Sequence, residues 1–176
     1  DRLGREGLRL DDLEEPDLWA TLTRRDAVVF HDNDFEVFID PDGDTHAYYE
    51  LEVNPANVVC DLRMISPWPD KKGDIDWNLA GLETRVHARG KDGGAPGWTV
   101  TAFLPWRGLR ALPSAGKVAL PPKPGDAWRF NVFRIERPGG KANPEKDGVF
   151  EAWSPPSVQS FHDAGAFRDL VFVGAS

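Results

Sequence analysis

The chain has 176 residues, with 21 Lys and Arg against 29 Asp and Glu, a formal net charge of −8. That length suits one soluble domain with a single core. The acidic balance argues against a partner read through its phosphate backbone, which calls for clustered Lys and Arg, and no window reaches the roughly 18 apolar residues of a membrane helix.

A single cysteine, Cys60, excludes an internal disulfide and a cysteine-rich zinc site. The chain opens at Asp1 with no visible leader, as a processed or trimmed piece would. Glycine (17) and proline (15) together make up about one residue in six, and the prolines are spread along the whole chain. Few intervals between them fit a long helix, so short strands joined by turns are expected. Seven tryptophans are unusual, because indole is favoured where a flat apolar face meets a partly wet ligand.

In chain order, residues 1–17 are charged and weakly patterned, with Leu3, Leu8, Leu10 and Leu13 as the aliphatic positions; they read as a poor strand or an ordered arm. Residues 19–23 lead to a short apolar run at 27–30. From there the period is two. In 34–40, Phe35, Val37 and Ile39 share one face, and Asp34, Glu36 and Phe38 the other. In 47–54, Ala47, Tyr49, Leu51 and Val53 oppose Tyr48, Glu50, Glu52 and Asn54. Residues 58–64, 82–89 and 98–104 alternate in the same way. Alternation over so many segments predicts half-buried antiparallel strands with the polar set turned outward. Pro41-Asp42-Gly43, 91–97 and 121–126 supply turns. Pro105 followed by Trp106, Leu109 and Leu112 predicts one short helix ended by Pro113. Strands at 128–137, 149–153 and near 169–173 complete an all-β antiparallel sandwich of jelly-roll type.

Four blocks carry a resemblance: LEEPDLWATLT at 13–23, VVFHDNDFEVFIDPDGDTHAYYELEVN at 28–54, GWTVTAFLPWRGL at 97–109, and GDAWRFNVFR at 125–134 followed by Trp153 and FHDAGAFRDLVF. In this order they resemble a family 9 carbohydrate-binding module in its broad form, over roughly residues 13–173. The resemblance implies a single 1–176 domain that binds an oligo- or polysaccharide without catalysis. It implies a secreted, bacterial setting, extracellular or periplasmic, in polysaccharide degradation and in association with a glycoside hydrolase. Family members usually carry strands before the LEEP-like block. Here 9–13 is charged, so that edge is expected to be missing or remodelled.

The family's slot holds a sugar ring between two aromatic side chains, whose π-faces receive the C–H face of a pyranose while polar groups meet its hydroxyls. The matching positions are Phe30 and Phe161, where the family favours Trp. Glu36 matches the family's glutamate, Glu52 stands where better-known modules use Arg, and Asn54 matches. Glu36, Tyr48, Glu50, Glu52 and Asn54 form the polar face, more acidic than the family's reference form. Trp68 and Trp77 in the loop SPWPDKKGDIDWN are either ligand contacts or a lid over the core; Trp98, Trp106, Trp128 and Trp153 read as packing.

Asp40, Asp42 and Asp44 alternate like the first ligands of a calcium loop, yet Thr45 and Leu51 break the EF-hand pattern. Both a plain Asp-Gly turn and a turn with calcium fit, and calcium sites occur in the family. The repeated Phe-His-Asp at 30–32 and 161–163 would bring His31 and His162 together if Phe30 and Phe161 flank one slot; sugar hydroxyls, a shared metal with Asp32 or Asp163, and ordinary loop hydrogen bonding all fit. Two other classes remain open: a jelly-roll glycosidase using Glu50 and Glu52 with Glu36, and a haem-binding sandwich ligated through Met64, the one methionine.

Overall fold

The computed structural model describes residues 8–12, 18–89, 96–110, 117–140 and 147–174. Within them the alternation resolves into strands β1 (Leu8–Asp12), β2 (Asp34–Asp40), β3 (Tyr49–Val53), β4 (Val59–Ser66), β5 (Lys72–Asp74), β6 (Glu83–Arg89), β7 (Gly97–Phe103), β8 (Ala127–Glu136), β9 (Val149–Ala152) and β10 (Arg168–Val171). One helix, α1 (Trp106–Leu109), starts after Pro105. Leu112, most of the expected 91–97 turn and positions 13–17 of the first quoted block lie outside the described residues.

The strands form two antiparallel sheets. The smaller has the order β1-β7-β6, the larger β10-β8-β2-β3-β4-β5, with β9 on the second half of the β8 edge whose first half pairs β10. One open reading is decided here, between a poor strand and an ordered arm, and one expectation changes. The charged start is an edge strand paired residue by residue with β7, from Leu8↔Ala102 to Asp12↔Trp98. The Trp68–Trp77 loop contains a further short strand, β5, on the edge of β4.

The apolar set of each strand meets between the sheets. Phe35, Val37 and Ile39 of β2 and Tyr49, Leu51 and Val53 of β3 pack against Trp98, Val100 and Ala102 of β7. Phe35 and Trp98 are in ring contact at 4.7 Å. Each such side chain contributes roughly 1.5–3 kcal/mol by leaving water, which is why the two-residue period is enforced. Trp128 belongs to the same core, edge-on to Trp106 at 5.6 Å. Trp153 does not: it is 59% exposed and stacks on Phe130 at 5.0 Å.

The larger departure concerns the polar set. It has the predicted phase, but it does not face water. β2 is buried at all seven positions and β3 at all five. Phe38, Tyr48, Met64 and Phe133 form a second apolar cluster with Ala164 and Phe167, and Phe161 packs on it. Residues 154–167 therefore cover the outer face of the large sheet. They are fastened by main-chain contacts: Asn131 donates to the Ser154 carbonyl at 2.8 Å and accepts from its N–H at 3.0 Å, and the Trp68 N–H donates to the His162 carbonyl at 3.1 Å. Met64 is buried in this cluster.

The segment before β2 is tied down by one fully buried carboxylate. Asp32 accepts the Thr21 and Leu22 N–H groups, each at 2.9 Å, the Thr21 hydroxyl at 2.8 Å and the Asn54 side-chain amide at 2.9 Å. Asp32→Ala orphans these donors together, each worth ~1 kcal/mol or more when left unmade in a buried site. The expected cost is at least ~2 kcal/mol of unfolding free energy, read from the urea midpoint at unchanged m-value.

Candidate functional site

The register of the large sheet assembles the site. Glu36 of β2 lies opposite Glu52 of β3 and, on its other side, Phe133 of β8; Phe38 lies opposite Glu50. One carboxylate oxygen each from Glu36, Glu50 and Glu52 lies within 4.8 Å of the other two. These residues are only 3%, 3% and 6% exposed. Asp34, one pleat away from Glu36 on the same face, is wholly buried.

Burial is the main force on these acids. Desolvation, then repulsion from the neighbouring carboxylates, raises Asp34, Glu36 and Glu50 well above the ordinary carboxyl range, with Arg137 pulling Asp34 and Glu36 back. Glu52 is raised to about 7 by burial, moderated because the Glu50 carboxyl and the Phe30 N–H both donate to it.

Arg137 is the positive member of this face. It continues the β8 alternation of Phe133 and Ile135 by one residue and is fully buried. Its guanidinium donates to the Phe30 and Asp147 carbonyls and sits 5.1 Å from the Phe150 ring centroid. Its N–H donates to Asn33 at 2.6 Å. Gly148 is required beside it, because a Cβ there would collide with the guanidinium and the Glu136 carbonyl.

Phe30 and Phe161 both adjoin the acidic row. Phe30 follows from the Val29–His31 3-10 turn; its main chain is bonded to Glu52 and Arg137, and its half-buried ring meets His31 edge-on at 4.6 Å. Phe161, also half-buried, stacks on Phe133 at 4.2 Å and 19°, with Phe150 edge-on at 6.1 Å. Next to it, His162 Nδ1 is 2.7 Å from the Tyr48 hydroxyl and 3.7 Å from Glu50. Burial, helped by Lys71, pushes His162 down to about 4, so the ring is neutral at physiological pH.

Glu36, Tyr48, Glu52, Phe161 and His162 thus come to one face, with the Phe30 main chain bonded at its margin and His31 against the Phe30 ring. Two other sequence candidates do different work. Asn54 is fully buried, bonded to Asp32 and accepting the Ala56 and Val58 N–H groups in the β3–β4 turn. Trp77 lies edge-on to Tyr49 at 5.8 Å, packed on the core between the sheets. Asp32 and Asp163 are engaged by main-chain and hydroxyl donors. Sequence reasoning missed Arg137 and Phe150 as site residues; the available signal for Arg137 was its place in phase with Phe133 and Ile135 at the end of the predicted 128–137 strand.

Asp40, Asp42 and Asp44 also present oxygens within 4.8 Å of one another. Here Lys117 supplies a positive charge, with Nζ 2.5 Å from Asp42 and 2.8 Å from Asp44. Asp40 accepts the Gly43 and Thr45 N–H groups at 3.0 and 2.9 Å, and burial raises it to about 6. Thr45 adopts φ +65° to close this turn.

No protein-family model matches the chain, and no curated protein matches it. Solved structures do. A Bacteroides uniformis protein provisionally assigned to carbohydrate binding superposes with a TM-score of 0.62 at 17% identity, over 94% of this chain and 71% of that one. A family 9 carbohydrate-binding module from Caldicellulosiruptor kristjanssonii, solved with cellotriose, superposes with a TM-score of 0.58 at 12% identity, over 97% of this chain and 70% of that one. The chain has the fold of a family 9 carbohydrate-binding module.

Proposed function

We propose that the protein is a non-catalytic carbohydrate-binding domain that takes one ring of an oligo- or polysaccharide between Phe30 and Phe161, above Glu36. The observation that carries this reading is the Phe161 ring stacked on Phe133 beside Glu36, with the Phe30 main chain bonded to Glu52 in the same acidic row. Phenyl faces receive the C–H face of a pyranose at little desolvation cost, and carboxylates accept its hydroxyls as charge-assisted partners. Glu36 and Glu52 are only 3% and 6% exposed, so a hydroxyl reaches them only where the two rings part. Three acids that each bring one oxygen within 4.8 Å of the others form a shared acceptor floor for ring hydroxyls. The fold shared with a module solved with cellotriose supports the same substrate class.

The reading also carries an extracellular or periplasmic location and work beside a glycoside hydrolase. Calcium at Asp40, Asp42 and Asp44 enters it only as an exchange for the exposed Lys117 ammonium. Lys117→Met should then leave the melting temperature nearly unchanged in chelator, because the lysine is solvent-screened, and raise it in millimolar calcium by more than wild type gains. A calcium response in that variant no larger than that of wild type removes the loop site.

The saccharide reading is tested by calorimetry against a panel of oligosaccharides. Phe30→Ala or Phe161→Ala should weaken binding by ~1–3 kcal/mol, and Glu36→Gln by a similar amount. Phe161→Ala should also lower stability by ~0.5–1.5 kcal/mol through the lost Phe133 stack. Wild-type protein that binds no saccharide at millimolar concentration, or three variants that bind like wild type, would refute it.

A further inference from the structure

The acidic face gathers four buried carboxylates, Asp34, Glu36, Glu50 and Glu52, with the Arg137 guanidinium acting on Asp34 and Glu36. We propose that Glu36, Glu50 and Glu52 hold a hard divalent cation of the calcium class, with Asp34 beside it as a fourth carboxylate. This inference stands apart from the saccharide reading, since a cation can bind there with no sugar present.

Three observations carry it. The first is geometric. One oxygen from each glutamate lies within 4.8 Å of the other two. Calcium–oxygen distances of about 2.3–2.6 Å place any two ligands at most ~5.2 Å apart, so the three oxygens fit on one coordination sphere. The second is the lack of partners. Among the described residues, both Asp34 oxygens are buried with no hydrogen-bond partner, as are Glu50 Oε2 and Glu52 Oε2, although Glu50 and Glu52 share a carboxyl hydrogen bond and Glu52 accepts the Phe30 N–H. Asp34 is 0% exposed and lies in the phase of Glu36, with Glu36 and Glu52 as the charges that act most strongly on it. A carboxylate taken out of water without a partner is strongly disfavoured unless a proton or a cation meets it. The third is the contrast with Asp40, Asp42 and Asp44. That cluster has Lys117 and the turn amides on its oxygens, whereas here Arg137 acts on Asp34 and Glu36 while also bonding the Phe30 and Asp147 carbonyls, Lys71 acts on Glu50 from a distance, and Glu52 has no cation beside it among the described residues.

The donors select the ion. Every converging group is a carboxylate oxygen, the preference of calcium, magnesium and manganese, and not of zinc or copper. His162, the nearest nitrogen donor, has Nδ1 bonded to the Tyr48 hydroxyl.

The test uses the full chain, stripped with EDTA, dialysed, and titrated with calcium chloride and separately with manganese chloride, without saccharide. Wild type should bind one equivalent at this face and gain about 5–10 °C in melting temperature at a hundredfold excess over Kd. The loop variant Asp42→Asn/Asp44→Asn should keep that equivalent. The variant Glu36→Gln/Glu50→Gln/Glu52→Gln should lose it, yet melt in EDTA at or above the stripped wild type, since like charges have been removed. If the triple variant does not fold, Glu50→Gln alone should bind about tenfold or more weakly. Wild type that takes up neither ion at millimolar concentration overturns the proposal. So does loss of the equivalent in the loop variant, or its retention in the triple variant or undiminished in Glu50→Gln. Because no sugar is used, failure here leaves the saccharide reading standing.

Discussion

The side chains of β2 must satisfy two neighbours at once. Phe35, Val37 and Ile39 leave water by packing on β7, while Glu36 and Phe38, on the opposite face, lie under the 154–167 segment. A strand buried on both faces is ordinary in parallel sheets with helices on each side; in an antiparallel sandwich the outer face is commonly wet. Here the chain returns over that face as an irregular segment, and three layers result where two sheets alone would give two. Almost everything of functional interest lies between the second layer and the third.

That placement sets the electrostatics. Were the outer face wet, Glu36, Glu50 and Glu52 would be three solvated acids on adjacent strands, screened and nearly independent. Under Phe161, His162 and Phe167 they share a low-dielectric space, repel one another and rise together. Arg137 and the Phe30 N–H are the groups that soften the arrangement, and both belong to main-chain connections at the end of the strands rather than to the strands' own cross-strand pairs. The 27–33 approach to β2 and the exit from β8 are therefore part of the site as well as connectors.

The two acidic clusters show how context divides like compositions. Asp40, Asp42 and Asp44 lie in a hairpin turn whose amides and Lys117 meet them locally. Glu36, Glu50 and Glu52 lie on two central strands whose amides are engaged in the ladder, so their carboxylates find few local donors. Turn backbone presents free N–H groups to its own side chains; strand backbone points them at its neighbours.

The sequence alone determined the sandwich, the strands from 34 to 136 other than β5, their phase and the short helix after Pro105, because a two-residue hydrophobic period is a local property that burial of one face enforces. It also placed Glu36, Glu50 and Glu52 on one face. It did not reveal that this face is covered, since phase says which way a side chain points and nothing about what lies above it. The cover comes from residues 154–167, more than a hundred positions beyond β2, and has no period to read. The same limit explains Trp153, in phase for packing yet exposed, and Asn54, polar in phase yet engaged with Asp32 and its own turn. It explains Arg137, which ends the predicted 128–137 strand and is fully buried there. Which polar groups meet, and which are left without partners, is decided by contacts distant in sequence, and only the tertiary structure contains those.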